Sequence, residues 1–184
     1  MITKLTLPHG ANMAGLVDFV FGPGKDGEHS DPHIVAAYAD ILVGDRADTA
    51  AARKMLAIGL DSTRITMAPE VTEKFVLHTT VTAAPEDGLL GGQTWRAIAE
   101  SIAEHLGFED EAPGAPIRWI AVYHGLTKNG HDHIHVVANR VGEDGRTHAF
   151  PRPPTVMLSE VRRDLEIGHR LRLVGHRGGP DVVS

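Results

Sequence analysis

The stretch HGLTKNGHDHIHVVANRV, His124 to Val141, holds four of the chain's twelve histidines. Its last nine residues, HIHVVANRV (133–141), decide the fold. Side chains alternate faces along a strand. His133, His135, Val137 and Asn139 therefore share one face, and Ile134, Val136 and Ala138 share the other. The second set is wholly apolar and belongs against helices. Just upstream, IRWIAVYH (117–124) is another β-branched and aromatic run. The intervening GLTKNG (125–130) suits a hairpin connection. The stretch reads as an antiparallel pair with one helix-facing surface and one histidine-bearing surface.

Two residues of strand rise separate the His133 and His135 Cβ atoms by roughly 7 Å, so both rings can converge on one ion. Pairing His124 with His131, or any register of that parity, puts His124 on the same face. A slip by one residue puts it on the opposite face. Three imidazoles leave coordination positions open, which is the arrangement of a catalytic rather than a structural metal. The plain alternative is a strand with surface histidines. His131 is a candidate fourth ligand but is read first as a loop residue, because Gly130–Asp132 turns the chain. Imidazole suits many divalent ions, so the residues imply one divalent metal, with Mn, Mg or Zn as candidates, and do not choose among them.

Outward from this hairpin, ITKLTL (2–7) and EKFVLHTTVTAA (73–84) alternate and read as strands. Residues 13–21, 46–64, 94–106 and about 157–171 have helical spacing. PHIVAAYADILV, opened by Pro32 with Asp31 as N-cap, is also read as a helix. Gly22-Pro23-Gly24 breaks the chain after the first helix. KDGEHSDPH (25–33) and DEAPGAP (110–116) are loops. Trp95 and Trp119 fit the core faces of their helix and strand. The order β-α-α-α-β-α-β-β-α implies an α/β (α+β) domain, an antiparallel sheet sandwiched by helices. It spans residues 1–174, with 175–184 as a tail or the start of a linker.

The 184 residues suit one domain, and 42% hydrophobic content suffices for a core. With no cysteine, disulfides and thiolate metal sites are excluded. No apolar run reaches membrane-spanning length. MITKLTLPHGAN lacks a signal-peptide pattern, so a cytoplasmic protein without membrane insertion is expected. The net charge of −6 argues against a non-specific nucleic-acid coat. Charge is uneven, however. Residues 1–139 carry 10 Lys/Arg against 18 Asp/Glu, whereas 140–184 carry 8 Arg and no Lys against 6 Asp/Glu. Arginine forks suit phosphate, although an ordinary solvated helix has the same composition.

Three segments in order, FGPGKDGEHSDPHIVA (21–36), LHTTVTAAPEDGLL (77–90) and HGLTKNGHDHIHVVAN (124–139), resemble the relaxase/mobilisation nucleases. These are HUH endonucleases, here similar to actinobacterial MOBP and MOBV types. The resemblance runs from about residue 2 to 173. Family members are usually longer, so it implies an N-terminal nuclease domain. It further implies a metal held by His124, His133 and His135, and nicking of single-stranded or supercoiled DNA at a plasmid or integrative-element transfer origin. The nucleophile attacks phosphorus, keeps the 5′ phosphate covalently and frees a 3′-OH. Accessory and coupling proteins of a transfer apparatus would be partners.

Many relaxases use an N-terminal tyrosine, and some use a histidine. His29, in the loop, is the favoured nucleophile. Tyr38 and His33 are the alternatives. His78, Asp132 and Asn139 are candidates for supporting the metal histidines. Arg140, Arg146, Arg152, Arg162 and Arg163 are candidate DNA contacts. A rolling-circle replication initiator would carry its tyrosine after the His-x-His strand, where this chain has none. A His-metal hydrolase of a small substrate would need a positioned carboxylate base. A non-catalytic DNA-binding module would bind without cutting.

Overall fold

The computed structural model describes residues 2–6, 10–23, 29, 31–38, 41, 44–109, 115–127, 129–150, 152–169 and 171. Strand β1 (Ile2–Thr6) leads to helix α1 (Met13–Phe21), β2 (His33–Ala37) and α2 (Ala50–Met67). There follow β3 (Val76–Thr82), α3 (Gly91–His105), the hairpin β4 (Ile117–Leu126) and β5 (Asp132–Gly142), and α4 (Pro154–Gly168). The strands form one antiparallel sheet in the order β1-β3-β5-β4-β2. The His-x-His strand is thus the central one, paired along both edges, which fixes its register against slippage.

Both faces of the sheet are covered. Ile134, Val136 and Ala138 meet Trp95, Ile98 and Ile102 of α3 and Met157, Val161 and Leu165 of α4. Val137, Val122 and Ile120 meet Met13 and Val17 of α1 and Leu56 and Leu60 of α2. The helices start where capping chemistry allows. Asn12 accepts from the Gly15 N–H and Thr49 from the Ala52 N–H. α4 starts at Pro154, where a missing N–H costs nothing. Trp95 and Trp119 are both core residues. No helix among the described residues is long and apolar enough to cross a membrane. The tail, 175–184, lies outside the described residues.

One element differs from the sequence reading. HIVAA after Pro32 is strand β2, not the start of a helix. Its β-branched Ile34 and Val35 fit a pleated surface, and β4 offers an open edge. His33 pairs with Tyr123 and Ala37 with Ile120, and the Tyr38 N–H continues to the Trp119 carbonyl. Asp31 is accordingly no N-cap. Its carboxylate accepts from Arg46 at 2.7 Å.

Asp132 opens β5 on the α3 side. Its Oδ2 accepts from the Leu90 N–H (2.9 Å) and from Trp95 Nε1–H (2.8 Å), and the residue is buried. Replacing Asp132 with Ala strands both donors in a dry interior. We expect a loss of about 2–4 kcal/mol, read as a lower urea midpoint, with the metal capacity of the folded fraction unchanged. Asp132→Asn keeps one acceptor and should lose less.

Candidate metal centre

The site is built on the α1–α2 face of the sheet. Val122 pairs with His135, so His124, two residues along β4, shares the face of His133 and His135. The ladder then bulges between Tyr123 and Gly125, and Gly125 pairs with His133. Gly125 has φ +80°, a left-handed conformation that glycine adopts without penalty. The bulge aims the Gly125 carbonyl at His133, whose Nδ1–H donates to it at 2.9 Å. A carbonyl only accepts, so the proton sits on Nδ1 and His133 Nε2 keeps its lone pair. His135 is fixed by a neighbour on β3, with its Nδ1 lying 2.6 Å from His78 Nε2 and the two rings stacked.

A fourth ring joins these three from a distant segment. α1 ends at Gly22, where a Cβ would lie 2.7 Å from the Asp18 carbonyl oxygen. The turn at Gly22-Pro23 holds His29 twice. Its N–H donates to the Pro23 carbonyl (3.3 Å) and its Nδ1–H to the Gly22 carbonyl (2.8 Å). The His29 lone pair is therefore on Nε2. The His29 and His124 ring centroids are 3.9 Å apart, and those of His124 and His135 are 4.2 Å apart. One nitrogen from each of His29, His124, His133 and His135 lies within 4.8 Å of the others, and all four residues are buried. Phe19 of α1 covers the rings edge-on while remaining 45% exposed itself.

This donor set fits a divalent ion. His124 is 0% exposed, and neither of its ring nitrogens has a hydrogen-bond partner among the described residues. Buried polar atoms of this kind are rare unless something absent from the polypeptide satisfies them. Burial, reinforced by His29 and His133, pushes the His124 imidazole down to about 2. Burial pushes His78 down to about 4 and His135 lower still, with His124 contributing next for His135. His124 and His135 are thus held neutral, which is the ligating form.

The same burial sets a pH dependence. The unfolded chain takes up these protons near the ordinary value of about 6.5, and the fold resists them. The stability contribution is complete above about 6.5. It is lost as pH falls, down to about 4 for His78 and further for His124. Each such histidine steepens the loss by roughly 1.4 kcal/mol per pH unit. Metal-free protein should therefore melt at falling temperatures from pH 7 to 4, and His78→Gln should flatten that slope. An equal slope in the variant would remove His78 from the account.

The other candidates lie elsewhere. His33 shares the opposite face with its partner Tyr123. Its ring packs on Tyr123, and its Nδ1 bonds the Asp31 carbonyl. Tyr38 sits beside Trp119, five residues along β4 from His124, or roughly 16 Å. Asp132 also faces the α3 layer, away from the rings. Near it, burial and then Asp132 itself push the Tyr123 hydroxyl up to about 12. Asn139 is on the histidine face but spends its amide on Leu60 and Asp61 of α2 and on the Val141 N–H. Asp132 and Asn139 thus anchor helices, and of the three expected supporting residues only His78 touches a ring of the cluster. His131 bonds the Ala83 carbonyl.

Arg140 donates to the Lys74 and His148 carbonyls and Arg152 to Glu160, and Arg162 lies 3.7 Å from Glu166. Arg146 and Arg163 are exposed to solvent. Alternation along β5 was enough to find His133 and His135. Sequence reasoning offered His29 as a nucleophile but missed its place among the clustered rings, and it missed Phe19 altogether.

A family model described as relaxase, MobA/VirD2-like, nuclease domain, matches residues 27–171, most of the chain. Neither the curated proteins nor the solved structures gave a match.

Proposed function

The chain belongs to the MobA/VirD2-like relaxase nuclease family, and from that premise we propose that it nicks one DNA strand at a transfer origin by metal-dependent transesterification. The observation that carries the reading is the buried histidine cluster with its partnerless His124. His124, His133 and His135 hold the divalent ion. When bound, it supplies Lewis-acid stabilisation of charge on the scissile phosphate. His78 orients His135 through the bond between their rings, and the Gly125 carbonyl does the same for His133.

His29 is the nucleophile. Its Nδ1–H stays on the Gly22 carbonyl, so Nε2 attacks phosphorus with its lone pair. A P–N bond forms, the P–O3′ bond breaks, and O3′ leaves as the 3′-hydroxyl after taking a proton from solvent water. The covalent 5′ phosphate conserves bond energy, so strand rejoining is the same step reversed. No carboxylate belongs to the cluster among the described residues, and this weighs against a small-substrate hydrolase with a carboxylate base. Exposed Arg146 and Arg163 remain candidates for DNA contact. The setting is the bacterial cytoplasm, with accessory and coupling proteins of a transfer apparatus as partners.

The test incubates the protein with Mn²⁺ and a pool of randomised single-stranded oligonucleotides, with EDTA as control. Intact mass should reveal a metal-dependent covalent adduct. Absence of both adduct and DNA binding would overturn the reading, and tight binding without adduct would make the chain an accessory module.

A further inference from the structure

We propose that His29 is a displaceable fourth metal ligand, closing a four-histidine site in the DNA-free protein and yielding its position to a phosphodiester oxygen when DNA arrives. The inference rests on the reading of the cluster as the metal centre of a nicking enzyme. Three observations carry it. His29 contributes one of four ring nitrogens that already lie within 4.8 Å of one another. Tetrahedral ligation at about 2.1 Å sets ligand nitrogens about 3.4 Å apart, so closure needs only small ring movements. The His29 Nδ1 proton is committed to the Gly22 carbonyl and the His124 nitrogens have no hydrogen-bond partner among the described residues, so the lone pairs of these two rings meet in one buried place. Facing lone pairs repel, and a shared cation turns that repulsion into ligation.

The ring is also held differently from its neighbours. His124, His133 and His135 stand on paired strands in the centre of the sheet. His29 hangs from a turn by two hydrogen bonds at Gly22 and Pro23. It is the member that can withdraw without breaking the sheet. While ligated, its lone pair is engaged and it cannot attack. Entry of a phosphate oxygen frees the ring beside the phosphorus it is to attack. The fourth ligand therefore masks the nucleophile until substrate is present.

The test uses Co²⁺ as the probe and reads visible absorption and affinity, not cleavage. DNA-free wild type should show the intense bands of four-coordinate Co²⁺. His29→Ala should show weak bands of higher coordination and bind Co²⁺ at least about tenfold less tightly. His33→Ala, on the opposite face, should match wild type, and thermal melts of the metal-free proteins should show all three folded. Adding a mixed single-stranded octanucleotide should move the wild-type spectrum toward that of His29→Ala. Identical wild-type and His29→Ala spectra would overturn the fourth-ligand assignment. A four-coordinate spectrum unmoved by saturating octanucleotide would overturn its displacement. Failure of wild type to bind Co²⁺ at all would instead overturn the metal centre itself.

Discussion

Replacing His124 with Leu should abolish nicking and at the same time leave the metal-free protein as stable as wild type or more so. The two effects have one cause. The His124 ring is fully buried and neither nitrogen has a hydrogen-bond partner among the described residues. An unsatisfied buried polar group costs about 1–3 kcal/mol. Leucine fills similar volume on a face already lined by Val122, Val137 and Val20 and carries no polar atom. Without metal, the variant loses a liability. With metal, it loses a central ligand, and wild type alone should gain thermal stability on addition of Mn²⁺ or Zn²⁺. Removing one stabiliser of developing charge typically costs about 10²–10³ in rate, and loss of the ion should cost at least that. The measurements are melting with and without metal, and relaxation of a supercoiled plasmid carrying the origin. A variant that still nicks would exclude His124 from the metal centre. A variant markedly less stable than wild type when both are metal-free would mean that the ring has a structural role after all.

That opposition between stability and chemistry explains which parts of the molecule were legible beforehand. The β4–β5 hairpin was legible because strand periodicity is local: His133, His135 and the apolar Ile134–Val136–Ala138 face follow from alternation alone. The same rule, applied strictly, puts Asp132 with Ile134 rather than with His133, and the structure agrees. Reading Asp132 as a support for the histidines set that rule aside. β2 was not legible because its state depends on a partner strand about 85 residues away, and HIVAA suits a helix or an edge strand equally when β4 is not in view. The His29 contact was hidden for the same reason. Nothing local to GEHSDPH says which ring will reach a sheet formed about 100 residues later. The usable signal was Gly22-Pro23, a stop after α1 that holds the returning chain close to the helix end.

Among the three candidate nucleophiles, His29→Ala should eliminate the covalent protein–DNA adduct, while Tyr38→Phe and His33→Ala should form it at near wild-type yield. The argument is one of position. Nucleophilic catalysis needs reacting atoms about 3–3.5 Å apart and aligned. His29 lies against His124, with ring centroids 3.9 Å apart. His33 is on the far face of the sheet, and Tyr38 is several residues down β4 beside Trp119. Neither reaches a phosphate held by the clustered histidines without tearing β2 from β4. We expect the His29→Ala adduct to fall by about 10³-fold or more, to the limit of detection by intact mass. The bond chemistry gives a second readout. A phosphoramidate on histidine is labile in acid and survives alkali, whereas a phosphodiester on tyrosine survives acid. An acid-labile wild-type adduct that maps to His29 would fit. An acid-stable adduct mapping to Tyr38 would require that β2 leave the sheet when DNA binds, and would transfer the nucleophile's role to a residue that the folded chain keeps away from the metal site.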